Sequence, residues 1–181
     1  MAKVLDSLDE QLTAWIEAQP VFFVASAPTA GGHVNVSPKG YDTLRVLDGS
    51  TVAYLDLTGS GAETLAHTRE NGRLTIMLCG FDGPPRILRL FGTATAHPVG
   101  SPRFAELEPR FPSMPGSRSI VELDVERIQT SCGYAVPFMD LREERPTLHQ
   151  WAARKGDDGL AAYRAEKNAR SIDGLPALDA R

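Results

Sequence analysis

The feature that most constrains this chain is a close succession of short alternating segments between Val21 and Thr130. Residues 21–25 read as a buried strand closed by Pro28 and a Gly31-Gly32 turn, and residues 33–37 alternate as the returning arm of a hairpin. Residues 44–47 and 51–57 flank the turn Asp48-Gly49-Ser50. Residues 73–81, 86–96 and 119–130 complete the series, with Asp82-Gly83-Pro84-Pro85 turning between the first two. Six or seven short strands joined mainly by hairpins predict a mainly β, antiparallel barrel or sandwich with short helices.

Helices punctuate this pattern. Ser7 and Glu10 read as a capping box for a helix presenting Leu8, Leu12, Trp15 and Ile16 on one face, stopped by Pro20. Ser60 and Glu63 read as a second capping box, for a helix over residues 61–71 with Gly72 as its C-terminal cap. Residues 102–107 suggest a short helix in a loop rich in proline and glycine. From Pro137 the chain turns polar, with helices expected over 147–155 and 159–170. We therefore expect a barrel domain over residues 1–136 and a C-terminal helical extension over 137–181, packed on the barrel or on a partner subunit.

Composition narrows the function classes. The 181 residues carry a net charge of -4 and no Lys/Arg run, which argues against a nucleic-acid partner. Apolar runs are too short to span a bilayer, and the N-terminus has no apolar signal core. Two cysteines, without a C-x-x-C pair or a histidine at ligand spacing, imply neither a disulfide framework nor a metal site, and suit a reducing cytoplasm.

Four segments offer chemistry. Thr58-Gly59-Ser60-Gly61-Ala62-Glu63-Thr64 joins a strand to a helix through glycines, leaving free N–H groups for a phosphate or carboxylate; an ordinary capped helix reads the same way. In Ser37-Pro38-Lys39-Gly40 the proline is expected to halt the ladder and hold Lys39 on a stiff edge, although a surface lysine at a strand end is the commoner case. Arg86 and Arg89 lie among apolar residues and call for an acidic or phosphate partner, the alternative being an ion pair to the first helix or a neighbouring subunit. Ser131-Cys132-Gly133-Tyr134 lets a flat ligand approach closely, while Cys132 lacks a neighbouring histidine to activate it.

Taken together, 33–40, Val52-Ala53-Tyr54-Leu55-Asp56 and residues 69–78 resemble the pyridoxamine 5′-phosphate oxidase-like flavoproteins, in which a strand, a short helix ending in Asn-x-Arg and another strand follow in this order. Leu88-Arg89-Leu90-Phe91-Gly92-Thr93-Ala94, a strand ending in Gly-x-Ala, and Val125-Glu126-Arg127-Ile128 extend the likeness to Tyr134. Residues 166–176 are similar to a subgroup of oxidase-related proteins. The resemblance implies an antiparallel split β-barrel working as a homodimer, with FMN between the subunits and a small organic molecule as substrate.

By position, Val34, Asn35, Val36 and Ser37 would flank the isoalloxazine, beside Pro38 and Lys39. Tyr54 and Leu55 would line the opposite side, and Ser131, Cys132 and Gly133 would approach from the other chain. Thr58, Gly59, Ser60 and Thr64 would meet the phosphate, with Arg86 or Arg89 as counter-charge. The oxidase's adjacent Arg-Lys pair is Glu63-Thr64 here, and its C-terminal Arg-x-His motif is absent; these departures argue against vitamin B6 as the substrate while leaving the implied fold in place. Haem or the deazaflavin F420 in the same cleft, or a flavin-binding dimer without catalysis, are the competing readings.

Overall fold

The computed structural model describes residues 2–179. Eight strands form one antiparallel sheet: β1 (Lys3–Leu5), β2 (Phe22–Ser26), β3 (Asn35–Lys39), β4 (Leu44–Asp48), β5 (Thr51–Leu57), β6 (Arg73–Cys79), β7 (Ile87–Pro98) and β8 (Ser117–Ser131). Their order is β3-β2-β6-β7-β8-β5-β4, with β1 also on β8. The sheet does not close, so the barrel is split, and β3 and β4 are its margins.

The long strand β8 organises the whole. One of its edges pairs with β7 from Ser119 to Ser131; the other pairs with β5 up to Asp124 and with β1 from Ile128. Between Phe91 and Gly92 the β7–β8 register shifts, so that Phe91 faces Arg127 while Gly92 faces Val125. Glu126 is the extra residue of this bulge. The strand runs through this glycine, as the expected span 86–96 requires, and ends at Pro98.

Two cores flank β5. Tyr54 and Val52 point into the first, among Phe22, Ile76, Leu90 and Leu123. Ala53 and Leu55 point into the second, under Phe104 and Leu107 of α3 (Pro102–Leu107) and Phe111. A strand covered on both faces reads as a near-continuous apolar run, as 51–57 does.

Helix α1 (Glu10–Glu17) buries Leu12 and Ile16 against the first core. Its cap is Asp9, whose carboxylate accepts from the Leu12 N–H at 2.7 Å, and not Ser7. Helix α2 (Glu63–Glu70) starts at Ala62 with no side-chain cap, so the expected Ser60–Glu63 box does not form. Gly72 follows its end at φ 72°, in the left-handed conformation that such a stop requires. Helix α4 (Thr147–Lys167) is interrupted at Gly156 (φ 62°, ψ 176°), which divides the polar segment near the expected place. Its Ala152 and Leu160 are buried, and its C-terminal half reaches the β5–α2 turn through Arg164 and Asn168. Among the described residues no helix is long and apolar enough to cross a membrane.

Candidate functional site

The margin strand β3 sorts its residues by alternation. Asn35, Ser37 and Lys39 lie in register with Ser26, Val24 and Phe22 of β2, all buried, and so face the barrel interior. Val36 and Pro38 face the other way, where Val36 is 61% exposed; Val34, just before the strand, is 73% exposed. Pro38 does not halt the ladder. It pairs with Phe23, because a proline is tolerated on an outer strand with one unpaired edge.

On the inner side a polar chain runs from β3 to α2 and β5. Ser37 Oγ donates to Asn35 Oδ1 at 3.2 Å, and Asn35 Nδ2 donates to Thr64 Oγ1 at 3.1 Å. Lys39 Nζ donates to Asp56 Oδ1 at 2.9 Å and stands 5.5 Å from the centre of the Tyr54 ring. Tyr54 meets Phe22 edge to face at 5.6 Å, and its buried hydroxyl finds no hydrogen-bond partner among the described residues. Burial, reinforced by the charge of Asp56, pushes that phenol well above its ordinary value.

Asp56 is the hub. Its second oxygen accepts from Arg118 Nε at 2.7 Å and Nη2 at 2.6 Å. Burial alone would push the carboxyl up, but the Arg118 and Lys39 charges and their hydrogen bonds outweigh it and hold the group at about 2. One carboxylate between two cations leaves the cluster net positive.

The glycine-bearing turn before α2 is used from within. Thr58 Oγ1 donates to the Gly116 carbonyl and accepts from Arg164 Nε, both at 2.8 Å. Asn168 Nδ2 donates to the carbonyls of Gly59 and Ser60, and Arg118 Nη1 to that of Gly61. Glu63 folds back so that one carboxylate oxygen lies 2.6 Å from where a Gly61 Cβ would stand, while the other accepts from the Ile172 N–H. A carboxylate thus occupies the approach to the helix start.

The remaining candidates gather elsewhere. Arg86 lies just outside β7 and places its guanidinium 5.1 Å over the Trp15 ring of α1, a cation–π contact instead of an ion pair. Arg89 Nη1 donates to Ser131 Oγ at 3.2 Å. Gly133 approaches the Arg86 backbone so closely that a Cβ would sit 3.0 Å from its nitrogen, and Cys132 is exposed. Arg89 shares its row with Met77, Phe23 and Pro38, so it lies on the outer face, three strands from β3. Three spacings make roughly 14 Å. Within one chain the β3–α2 group and the Arg89–Ser131 group do not meet. Leu55 belongs to neither, being packed under α3.

Sequence reasoning missed Asp56, Arg118, Arg164 and Asn168 as a connected set. One signal was available: an aspartate inside the apolar run Ala53-Tyr54-Leu55-Asp56-Leu57 demands a buried cation.

The sequence model of the pyridoxamine 5′-phosphate oxidase family matches residues 8–132. The "Pyridoxamine 5′-phosphate oxidase family protein ustO" of Aspergillus flavus is 44% identical over 190 residues, covering 96% of this chain and 76% of that protein. Among solved structures, HupZ of Group A Streptococcus superposes with a TM-score of 0.51 at 23% identity, over 66% of this chain and 90% of that one. A Lactobacillus delbrueckii protein described as a candidate pyridoxamine 5′-phosphate oxidase gives 0.53 at 21%, over 70% and 98%. At these identities the two structures speak for the fold alone.

Proposed function

This chain belongs to the pyridoxamine 5′-phosphate oxidase family, and on that premise we propose that it is a flavoprotein that holds FMN between two copies of itself and exchanges electrons with a small organic substrate. The observation that carries this reading is the division of the candidate residues into two groups. Asn35, Ser37, Lys39 and Thr64 form one, and Arg89 with Ser131 forms the other, roughly 14 Å away and on the opposite face. A ligand that engages both needs the second group from another copy. Exposed Val34 and Val36 on one side, and Tyr134, Phe138 and Met139 on the other, offer apolar surface for that association.

The residues fit such a ligand at β3. The excess positive charge of the Lys39–Asp56–Arg118 cluster suits an anionic group, and Lys39, partly exposed, is its outward member. The start of α2 fits less well, because Glu63 already places a carboxylate there. We therefore assign the anionic end of the ligand to Lys39, Thr64 and an arginine of the second copy, in place of the glycine turn. When bound, FMN supplies the redox chemistry; this chain's residues hold and orient it and set the charge around it.

Lys39→Met tests the role of that ammonium. It is expected to weaken FMN binding by about 10-fold or more, as loss of a charge-assisted contact does, measured by quenching of flavin fluorescence. An unchanged dissociation constant would remove Lys39 from the site. The spectrum of the purified protein, with mass spectrometry of whatever denaturation releases, separates FMN from haem and from F420. A protein that carries FMN but shows no turnover with any reductant or candidate substrate would be a flavin-binding dimer without catalysis.

A further inference from the structure

The molecule holds a cavity that none of the β3 residues lines. It lies between α2, α4, the C-terminal segment and the ends of β7 and β8, and has a volume of about 620 Å³, within the size range of small-molecule sites (~300–1,000 Å³). Leu65, Ala96, Val99 and Leu178 make its walls apolar, and Arg118 and Arg164 make part of it cationic. We propose that this cavity binds a small carboxylate with an apolar body, independently of the flavin.

The two arginines differ in what they have left to offer. Arg118 is committed: Nε and Nη2 go to Asp56, and Nη1 to the Gly61 carbonyl and Asn168 Oδ1. Arg164 is not. Its Nε donates to Thr58 Oγ1 and its Nη2 to the Ser117 carbonyl, but among the described residues Nη1 has no acceptor, and no carboxylate lies within 4 Å of the guanidinium. Burial, with the positive charge of Arg118 close by, pushes the Arg164 pKa down.

Asp56 and Asp157 act on this guanidinium only from beyond hydrogen-bond reach, so its unused Nη1 is a cationic donor on the cavity wall that an anionic ligand can take up. A carboxylate suits the planar fork of a guanidinium, and the apolar walls require a hydrocarbon body behind it. At the rim, Arg69 bonds Asp179 and the Ala177 carbonyl, so α2 and the C-terminal segment are tied together across the mouth.

The test is isothermal titration of the full chain, in excess FMN, with benzoate, hexanoate and the neutral benzamide. Both carboxylates are expected to bind, and benzamide at least about 10-fold more weakly, as loss of a charge-assisted hydrogen bond implies. Arg164→Gln is expected to weaken benzoate by about 10-fold or more. Because Arg164 also holds Thr58 and Ser117, Ala161→Trp at the cavity wall serves as a second variant: it keeps the guanidinium and is expected to block binding by filling the space. Carboxylate binding that both variants leave unchanged, or no binding of either carboxylate at about 10 mM, would overturn the proposal. Flavin uptake is read separately from visible absorbance, so failure of the flavin reading leaves this result interpretable.

Discussion

Asp56→Asn is expected to lower the unfolding free energy by about 3 to 5 kcal/mol, the cost of removing one member from a buried ion cluster. Asparagine keeps the volume but leaves Arg118, 5% exposed, without its carboxylate, and frees Lys39 from the same partner. Urea unfolding at neutral pH reads this as a lower midpoint with the slope unchanged.

The same carboxylate predicts a pH dependence with a definite sign. In the unfolded chain Asp56 titrates near its ordinary 3.8, and in the folded chain at about 2. Between those values the unfolded state takes up a proton that the folded state refuses. The stabilisation is complete above about pH 4 and is lost as pH falls toward about 2, by about 2 kcal/mol in all. Asp42, Asp48, Glu122 and Asp173 are also held below their ordinary values by hydrogen bonds and contribute slopes of the same sign. Comparing the unsubstituted chain with the Asp56→Asn variant isolates the one share, and an acid limb identical in the two proteins would contradict it.

Gly92→Ala is the second large effect. At the β7–β8 bulge an added Cβ would stand 1.9 Å from the Asp124 carbonyl oxygen and 2.9 Å from its carbon. These are backbone atoms of the strand that pairs with three others, so no side chain can swing aside. The ladder itself must open, at a cost of about 3 kcal/mol or more. Gly59→Ala is the control: nothing lies within 4 Å of its added Cβ, and its effect is expected within about 0.5 kcal/mol. Thermal unfolding of both variants checks the contrast; equal midpoints would mean that the bulge relaxes freely.

These two residues also mark what was legible in advance. The strands were, because alternation and turn residues act locally: the strand Thr51–Leu57 stands where the pattern put it, and the hairpin across Gly31-Gly32 forms, with its returning arm at Asn35–Lys39, two residues later than the expected 33–37. Pro38 misled, since whether a proline ends a ladder depends on which edge of its strand is paired, and only the sheet order tells that. Glu63 misled in the same way. Three residues after a serine it looks like half of a capping box, but the helix begins later and the carboxylate meets the Ile172 N–H, over a hundred residues away. Asp56 and Arg118 are joined by the β5–β8 register, which no local pattern encodes. The separation of Arg89 from Lys39 likewise emerges only once β2 and β6 are seen to lie between the strands that bear them.

That separation is the centre of the functional account, for it makes a second copy part of the site. It is tested most directly by sedimentation velocity of the purified chain with FMN, recorded at a flavin absorption wavelength. The account predicts that the colour moves with a species of twice the 19.6 kDa chain mass, and that dilution to monomer releases it. Flavin travelling with a single chain, or remaining with the solvent while the protein sediments, would contradict it.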